Sequence, residues 1–186
     1  MAAQGTLRRF SVDEYNKMGE VGIFSEDDRV ELIRGEIVEM APISVLHAWC
    51  VTNLTSVIFR LALDTVRLSV QNPIYLDQYS EALPDITLLR QRDYSRDTWH
   101  PGPDDVLLIV EVADTTVTWD RKVKVPLYAQ TAIPEVWTVN LQQGSIEVHS
   151  RPEGGAYQTS RRLRRGQSLA VPGFAEARVK VDDVLG

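Results

Sequence analysis

An ionisable residue inside an aliphatic strand is the first place to look for chemistry, and Glu111 in the run Leu107-Leu108-Ile109-Val110-Glu111-Val112 is such a residue. A lone carboxylate is costly to desolvate, so Glu111 needs a cation beside it. Alternation along a strand puts Leu107, Ile109 and Glu111 on one face, with Glu111 near the C-terminal end, where side chains of neighbouring strands converge. The bland alternative is a strand-end Glu that is solvated or paired with Arg. Asp85 follows Pro84 and opens the apolar stretch Asp85-Ile86-Thr87-Leu88-Leu89. Alone, Pro-Asp is ordinary turn chemistry. Beside an acid on an adjacent strand it gains a second meaning: two hard oxygen ligands can hold Mg²⁺, leaving coordination positions for water and a phosphate oxygen.

Three further residues could assist such a site. Glu31 lies between Val30 and Leu32 and must point to the opposite face from them. It is either a third carboxylate or one member of an exposed strand pair. Lys124 could orient a hydrolytic water or stabilise charge developing on phosphorus oxygens, but it also stands four residues after Asp120, an ordinary helix-face ion pair. His47 reads as a hydrogen-bonded structural histidine rather than a metal ligand, because no second His or Cys stands at ligand spacing.

These residues need elements to position them. Ser11 with Glu14 three residues later is a capping-box pattern, which predicts a helix over residues 11 to 18. Residues 29 to 40 read as a β-hairpin turning at Arg34-Gly35. From Ser44 to about Leu63, apolar residues at spacings of three and four predict a long helix facing the core with Val45, Ala48, Trp49, Thr52, Leu54, Val57, Ile58, Leu61 and Ala62. Strands are expected over 67 to 76, 85 to 89, 106 to 112, 135 to 140, 145 to 150 and 158 to 163, with turns at Gln143-Gly144 and Gly154-Gly155. A polar loop with Trp99, His100, Pro101, Gly102 and Pro103 joins the second and third of these strands. Residues 120 to 131 read as a helix that starts near Pro126 or kinks there. Mixed strands with helices before and after them predict an α/β sheet fold in a single domain over residues 1 to 186.

Composition sets the outer bounds. A net charge of −6 argues against broad attraction to a phosphate backbone, so a nucleic-acid role needs a local basic surface. The candidate is Arg161-Arg162-Leu163-Arg164-Arg165, which is either phosphate-pairing or a solvated charge run on an edge strand. The lone cysteine, Cys50, excludes an intrachain disulfide and a thiolate metal cage and reads as a buried thiol. No run of eighteen apolar residues and no signal-like N-terminus is present, so the expected location is the cytoplasm, without a membrane partner.

Taken in order, Pro84-Asp85, Glu111-Val112-Ala113, Asp120 to Tyr128 and Ile133-Pro134-Glu135-Val136-Trp137, preceded by Val30 to Val38, resemble the Uma-two family of nucleases. That family belongs to the PD-(D/E)xK, or restriction-endonuclease-like, superfamily. The match spans about residues 10 to 185. The resemblance implies a mixed central sheet flanked by helices with an N-terminal helix and hairpin, a divalent metal (Mg²⁺, with Mn²⁺ as substitute), and hydrolysis of nucleic-acid phosphodiester bonds, with DNA ahead of RNA. It makes Asp85 and Glu111 the metal ligands, with the Val112 carbonyl assisting, Lys124 and Glu31 further catalytic residues, and leaves a homodimer open. One departure stands out: the superfamily lysine belongs two residues after the Glu, where this chain has Ala113, and Lys124 on the following helix matches the position that substitutes for it.

Two readings follow. The first is a Mg²⁺-dependent endonuclease. The second is a catalytically inactive module of the same fold that binds nucleic acid or dimerises, which Ala113 and the acidic net charge favour. Trp137, Tyr128 and Trp119 could form a partner surface, although core packing is the commoner fate of such residues.

Overall fold

The computed structural model describes residues 6–25, 27–61, 65–97 and 99–186. The chain opens with helix α1 (Val12–Glu20), started by the reciprocal Ser11 and Glu14 cap bonds that the sequence announces. A hairpin of β1 (Val30–Ile33) and β2 (Glu36–Glu39) follows, with Arg34 and Gly35 both at positive φ in its turn. Helix α2 (Val45–Leu61) comes next; its expected extension through Ala62 to Leu63 lies outside the described residues.

The stretch expected as one strand over 67 to 76 is two, β3 (Val66–Val70) and β4 (Ile74–Asp77), broken at Gln71 with φ of +51°. Strand β5 (Ser80–Ala82) pairs with β4 and carries the chain to β6 (Ile86–Arg90) and β7 (Val106–Ala113). A helical stretch then runs from α3 (Val117–Trp119) through a π-helical turn at Asp120–Lys124 into α4 (Val125–Gln130). Strands β8 (Glu135–Asn140), β9 (Ser145–Glu153) and β10 (Ala156–Arg164) follow, then β11 (Ser168–Val171), β12 (Phe174–Lys180) and α5 (Val181–Leu185).

The central sheet has six strands in the order β10-β9-β8-β7-β6-β3, antiparallel except for the β7–β8 pair. A parallel pair needs a crossover, and the α3–α4 stretch supplies it. A second sheet, β2-β1-β5-β4, stands beside it. One core packs α2, β12 and α5 against Leu88, Leu108, Val110 and Val112; the other joins Ile33, Ile109, Leu127, Tyr128 and Val136.

Two expectations about faces need correction. In α2 the buried stripe is Cys50, Val51, Leu54, Val57 and Ile58, while Val45, Leu46 and Trp49 are exposed and Ala48 and Thr52 lie outward. The helix packs its apolar side chains into the core only from Cys50 onward, while its first turn faces Asp85 with His47. On β7, Ile109 and Glu111 do share a face, but Leu107 packs with the opposite core and Val106 takes its place. The register with β6 shifts between Leu88 and Leu89, and such a bulge inverts the alternation on one side of it.

Candidate metal and catalytic centre

The register Ile86↔Val110, continued by one residue, sets Asp85 opposite Glu111 at the C-terminal end of β7. Both carboxylates open onto a cavity of about 400 Å³ that Glu31, His47, Trp119, Asp120 and Lys124 also line. The first turn of α2 approaches from one side, the hairpin strand β1 from another and the π turn from a third, so residues far apart in sequence meet over the end of one strand.

Asp85 is gripped from three directions. The Val112 N–H donates to its Oδ2 at 2.9 Å, His47 Nε2 lies 3.0 Å from the same oxygen, and Gln71 Nε2 donates to Oδ1 at 3.2 Å. Burial alone would raise the pKa of this carboxyl, but the donors from His47, Val112 and Gln71 outweigh it and hold the group below the ordinary carboxylate range. Asp85 is therefore an ionised carboxylate although only 6% exposed.

Glu111 sits in a different environment. Its Oε1 accepts from the Tyr128 hydroxyl at 2.5 Å and from Lys124 Nζ at 3.1 Å. Burial pushes its pKa up to about 8; Lys124 opposes the rise, and the negative charges of Asp120, Asp85 and Glu31 add to it. Lys124 bridges two acids, with Nζ 3.0 Å from Glu31 Oε2 and 3.1 Å from Glu111 Oε1. Burial works against its charge, yet Glu111, Glu31 and Asp120 together hold its pKa above the ordinary lysine value, and it stays an ammonium. Glu31 also accepts from the Leu83 N–H at 3.3 Å. Asp120 accepts from Thr116 Oγ1 at 3.0 Å, and burial raises its pKa despite Lys124 and that bond.

Lys124 owes its place to the widened turn. An α-helical turn would press the Pro126 ring against the Lys122 carbonyl, and Pro126 has no N–H to close it. The chain answers with a bond from the Val125 N–H to the Asp120 carbonyl, five residues back, and both Asp120 and Lys124 become buried. The kink expected at Pro126 is thus a π turn, and the helical stretch starts at Val117.

All four residues singled out as catalytic candidates, Glu31, Asp85, Glu111 and Lys124, line this one cavity. Glu31 is buried at 3% exposure, which removes the exposed-pair alternative, and Lys124 spans to Glu31 and Glu111 rather than forming a solvated pair on its own helix. Ala113 is fully buried, while Lys124 reaches the Glu111 carboxylate from the crossover. His47 is hydrogen-bonded as expected, but its partner is Asp85 and its ring borders the cavity. Tyr128 and Trp137 are core residues, and Trp119, 37% exposed, stands at the cavity wall. The arginine run lies on the edge strand β10, with Arg162 committed to Glu147 at 2.5 Å and Arg165 near Asp182 at 3.5 Å.

Sequence reasoning missed Gln71, Asp120 and the hydroxyl of Tyr128 as members of the site. Tyr128 stands four residues after Lys124, a helical spacing that puts both on one face, and that signal was available. Gln71 gave none, because its contact depends on a backbone turn. Among the described residues, no three His, Cys, Asp or Glu side chains are arranged as a metal cage.

No curated protein matches the chain. A solved structure does: the crystal structure of "a putative nuclease belonging to DUF820 from Anabaena variabilis ATCC 29413" superposes with a TM-score of 0.73 at 16% identity, covering 95% of this chain and 97% of that one. The shared architecture is the restriction-endonuclease-like α/β fold, a mixed central sheet flanked by helices. The family model Uma2, described as "Putative restriction endonuclease", matches residues 12–182, a span that takes in every residue of the cavity, and the chain belongs to that family.

Proposed function

We propose that the protein is a Mg²⁺-dependent nuclease that hydrolyses phosphodiester bonds of nucleic acid, with DNA favoured over RNA. The observation that carries this reading is a surplus of buried acids: among the described residues, Glu31, Asp85, Glu111 and Asp120 face one cavity in which Lys124 is the one buried lysine, and burial beside one another raises the pKa of Glu111 and Asp120. Charges are rarely buried unpaired, and a hard divalent cation is the partner this oxygen-rich set fits. Asp85, held ionised and aimed from the start of a strand, and Glu111 opposite it would hold the cation, with the Val112 carbonyl assisting. Two protein carboxylates leave most positions to water and substrate, which is how Mg²⁺ is ordinarily held at phosphoryl sites. When bound, the cation would supply Lewis acidity towards a phosphate oxygen and towards water.

The chain's own residues do the rest. Glu111, which releases its proton only near pH 8, does so more readily once a cation replaces that proton. Lys124 keeps a positive charge where negative charge grows on the phosphorus oxygens, and Glu31 fixes the ammonium by accepting from it. Tyr128 restrains the Glu111 carboxylate by its short bond to Oε1.

The experiment is direct. Pure protein incubated with single- and double-stranded DNA and RNA in Mg²⁺ or Mn²⁺ should cleave at least one substrate, and an Asp85→Ala protein should not. Equal, background-level cleavage by both proteins would remove the enzymatic claim. The second reading, an inactive nucleic-acid-binding or dimerising module, draws on one observation: Lys124 and Tyr128 already occupy Glu111 Oε1. Nucleic-acid binding without cleavage, unaffected by metal, would favour it.

A further inference from the structure

We infer that His47 and Gln71 form a clamp that sets the direction of the Asp85 carboxylate, and that the two are positioning residues for the metal site rather than packing residues. The inference rests on the nuclease reading above. Asp85 directly precedes β6, and the two residues hold different oxygens of its carboxylate: His47 Nε2 at 3.0 Å from Oδ2, Gln71 Nε2 at 3.2 Å from Oδ1. The Val112 N–H fixes a third direction at 2.9 Å from Oδ2.

Both clamp residues are held in place at a cost. His47 stands in the first turn of α2, where Ser44 Oγ accepts from its backbone N–H at 3.1 Å and donates to Asp114 Oδ2 at 2.8 Å. The helix start is thereby tied to the end of β7. His47 Nε2 faces a carboxylate oxygen that also accepts from the Val112 N–H, so it is the donor of that pair, and Nδ1 is left buried with no hydrogen-bond partner among the described residues. A buried nitrogen without a partner is unfavourable, and here that is the consequence of turning the other nitrogen towards Asp85. Gln71 adopts φ of +51°, a left-handed conformation unusual outside glycine. Its own N–H donates to the Asp85 carbonyl at 3.0 Å while its side chain bonds the carboxylate, so the strained turn wraps the residue it serves. Groups that orient a metal-ligating carboxylate in this way are worth about 10- to 100-fold in metal affinity.

The test uses two readouts on the full-length chain. Calorimetric titration with Mn²⁺ should give His47→Ala and Gln71→Ala affinities about 10- to 100-fold below wild type, while His47→Gln, which retains a nitrogen donor of similar reach, should stay close to wild type. Crystals of the metal-free proteins should show the Asp85 carboxylate turned away from the Val112 N–H in His47→Ala and retained in His47→Gln. A purely structural role would lower the melting temperature of His47→Ala without changing the Mn²⁺ affinity of the folded protein; that result, or an unmoved Asp85 in the crystal, overturns the inference. Should His47→Ala not fold, Gln71→Ala and His47→Gln decide the matter by the same affinities. Wild-type protein that binds no Mn²⁺ would sink the metal-site reading, and the crystal comparison alone would then decide the clamp.

Discussion

Asp85 and Glu111 are two carboxylates held at opposite ends of the acid range by their surroundings. Asp85 has donors on both oxygens and is kept acidic; Glu111 is buried among other acids and its pKa rises to about 8. The consequence for stability has a sign. Between its ordinary value of 4.5 and about 8, folded Glu111 keeps a proton that the unfolded chain releases, so raising the pH through this window favours unfolding. Asp85 acts in the opposite sense, and its contribution is lost only as the pH falls below the ordinary carboxylate range. In chelator, the melting temperature of wild type should therefore fall across the Glu111 window, and Glu111→Gln should flatten that fall; parallel curves for the two proteins would refute the assignment. Lys124→Met should be severe for a related reason. It leaves Glu31 and Glu111 buried without their cation, and breaking such a pair costs about 3 to 5 kcal/mol, measurable by urea denaturation. Glu111 was legible in sequence because an acid in an aliphatic run is conspicuous, and Asp85 became so only beside it. The bonds of Gln71 were not, because they depend on a backbone turn that no local pattern records; the Tyr128 hydroxyl was missed although its spacing from Lys124 puts both on one helix face.

The elements that carry the site were read unevenly. The capped helix α1, the first hairpin and the strands β6 to β10 follow from capping residues, turn glycines and apolar runs, all local signals. Strand β5 has three residues and contains Ser80 and Glu81, so it has no hydrophobic signature, and β11, β12 and α5 hide in a segment of mixed polarity. In α2 the stripe was misplaced by a few residues because its first turn carries apolar side chains that lie outside the core. The π turn is the element with the clearest functional consequence. If Pro126 forces the widened turn, Pro126→Ala should let it relax towards an α-helix and rotate Lys124 away from Glu31 and Glu111. The variant should lose stability, because Glu31 and Glu111 are then buried without their ammonium, and should lose the proposed nuclease activity. Full activity with unchanged Lys124 contacts in a crystal would show that other forces set the turn.

At the scale of the whole molecule, charge is the constraint. The chain carries −6, and the arginine cluster that first suggests a phosphate surface is in part neutralised: Arg162 and Arg121 both bind Glu147, and Arg165 lies by Asp182. On the proposed function, nucleic acid approaching an acidic cavity would be helped by a bound cation that offsets the carboxylates. Binding of a labelled oligonucleotide should thus be weak in chelator and at least about tenfold tighter in Ca²⁺. Its salt dependence should be shallow, since the slope counts phosphates neutralised by protein cations. Affinity independent of divalent ions would point to a basic surface elsewhere. The fold class was legible from the order of elements, because mixed strands with helices before and after them point to an α/β sheet, and the helical stretch between β7 and β8 is the crossover that their parallel pairing needs. The residues offered Glu31 and Lys124 only as alternatives to ordinary ion pairs, and family resemblance favoured their convergence on the site, which is a property of the packed chain.

In the proposed function, Asp85 and Glu111 would hold one divalent cation between them. Calorimetric titration of Mn²⁺ into wild type, Asp85→Asn and Glu111→Gln at a pH near 8, where Glu111 can release its proton, tests it most directly. One site is expected in wild type, with proton release, and none in either variant. Wild-type affinity retained in either variant would contradict it.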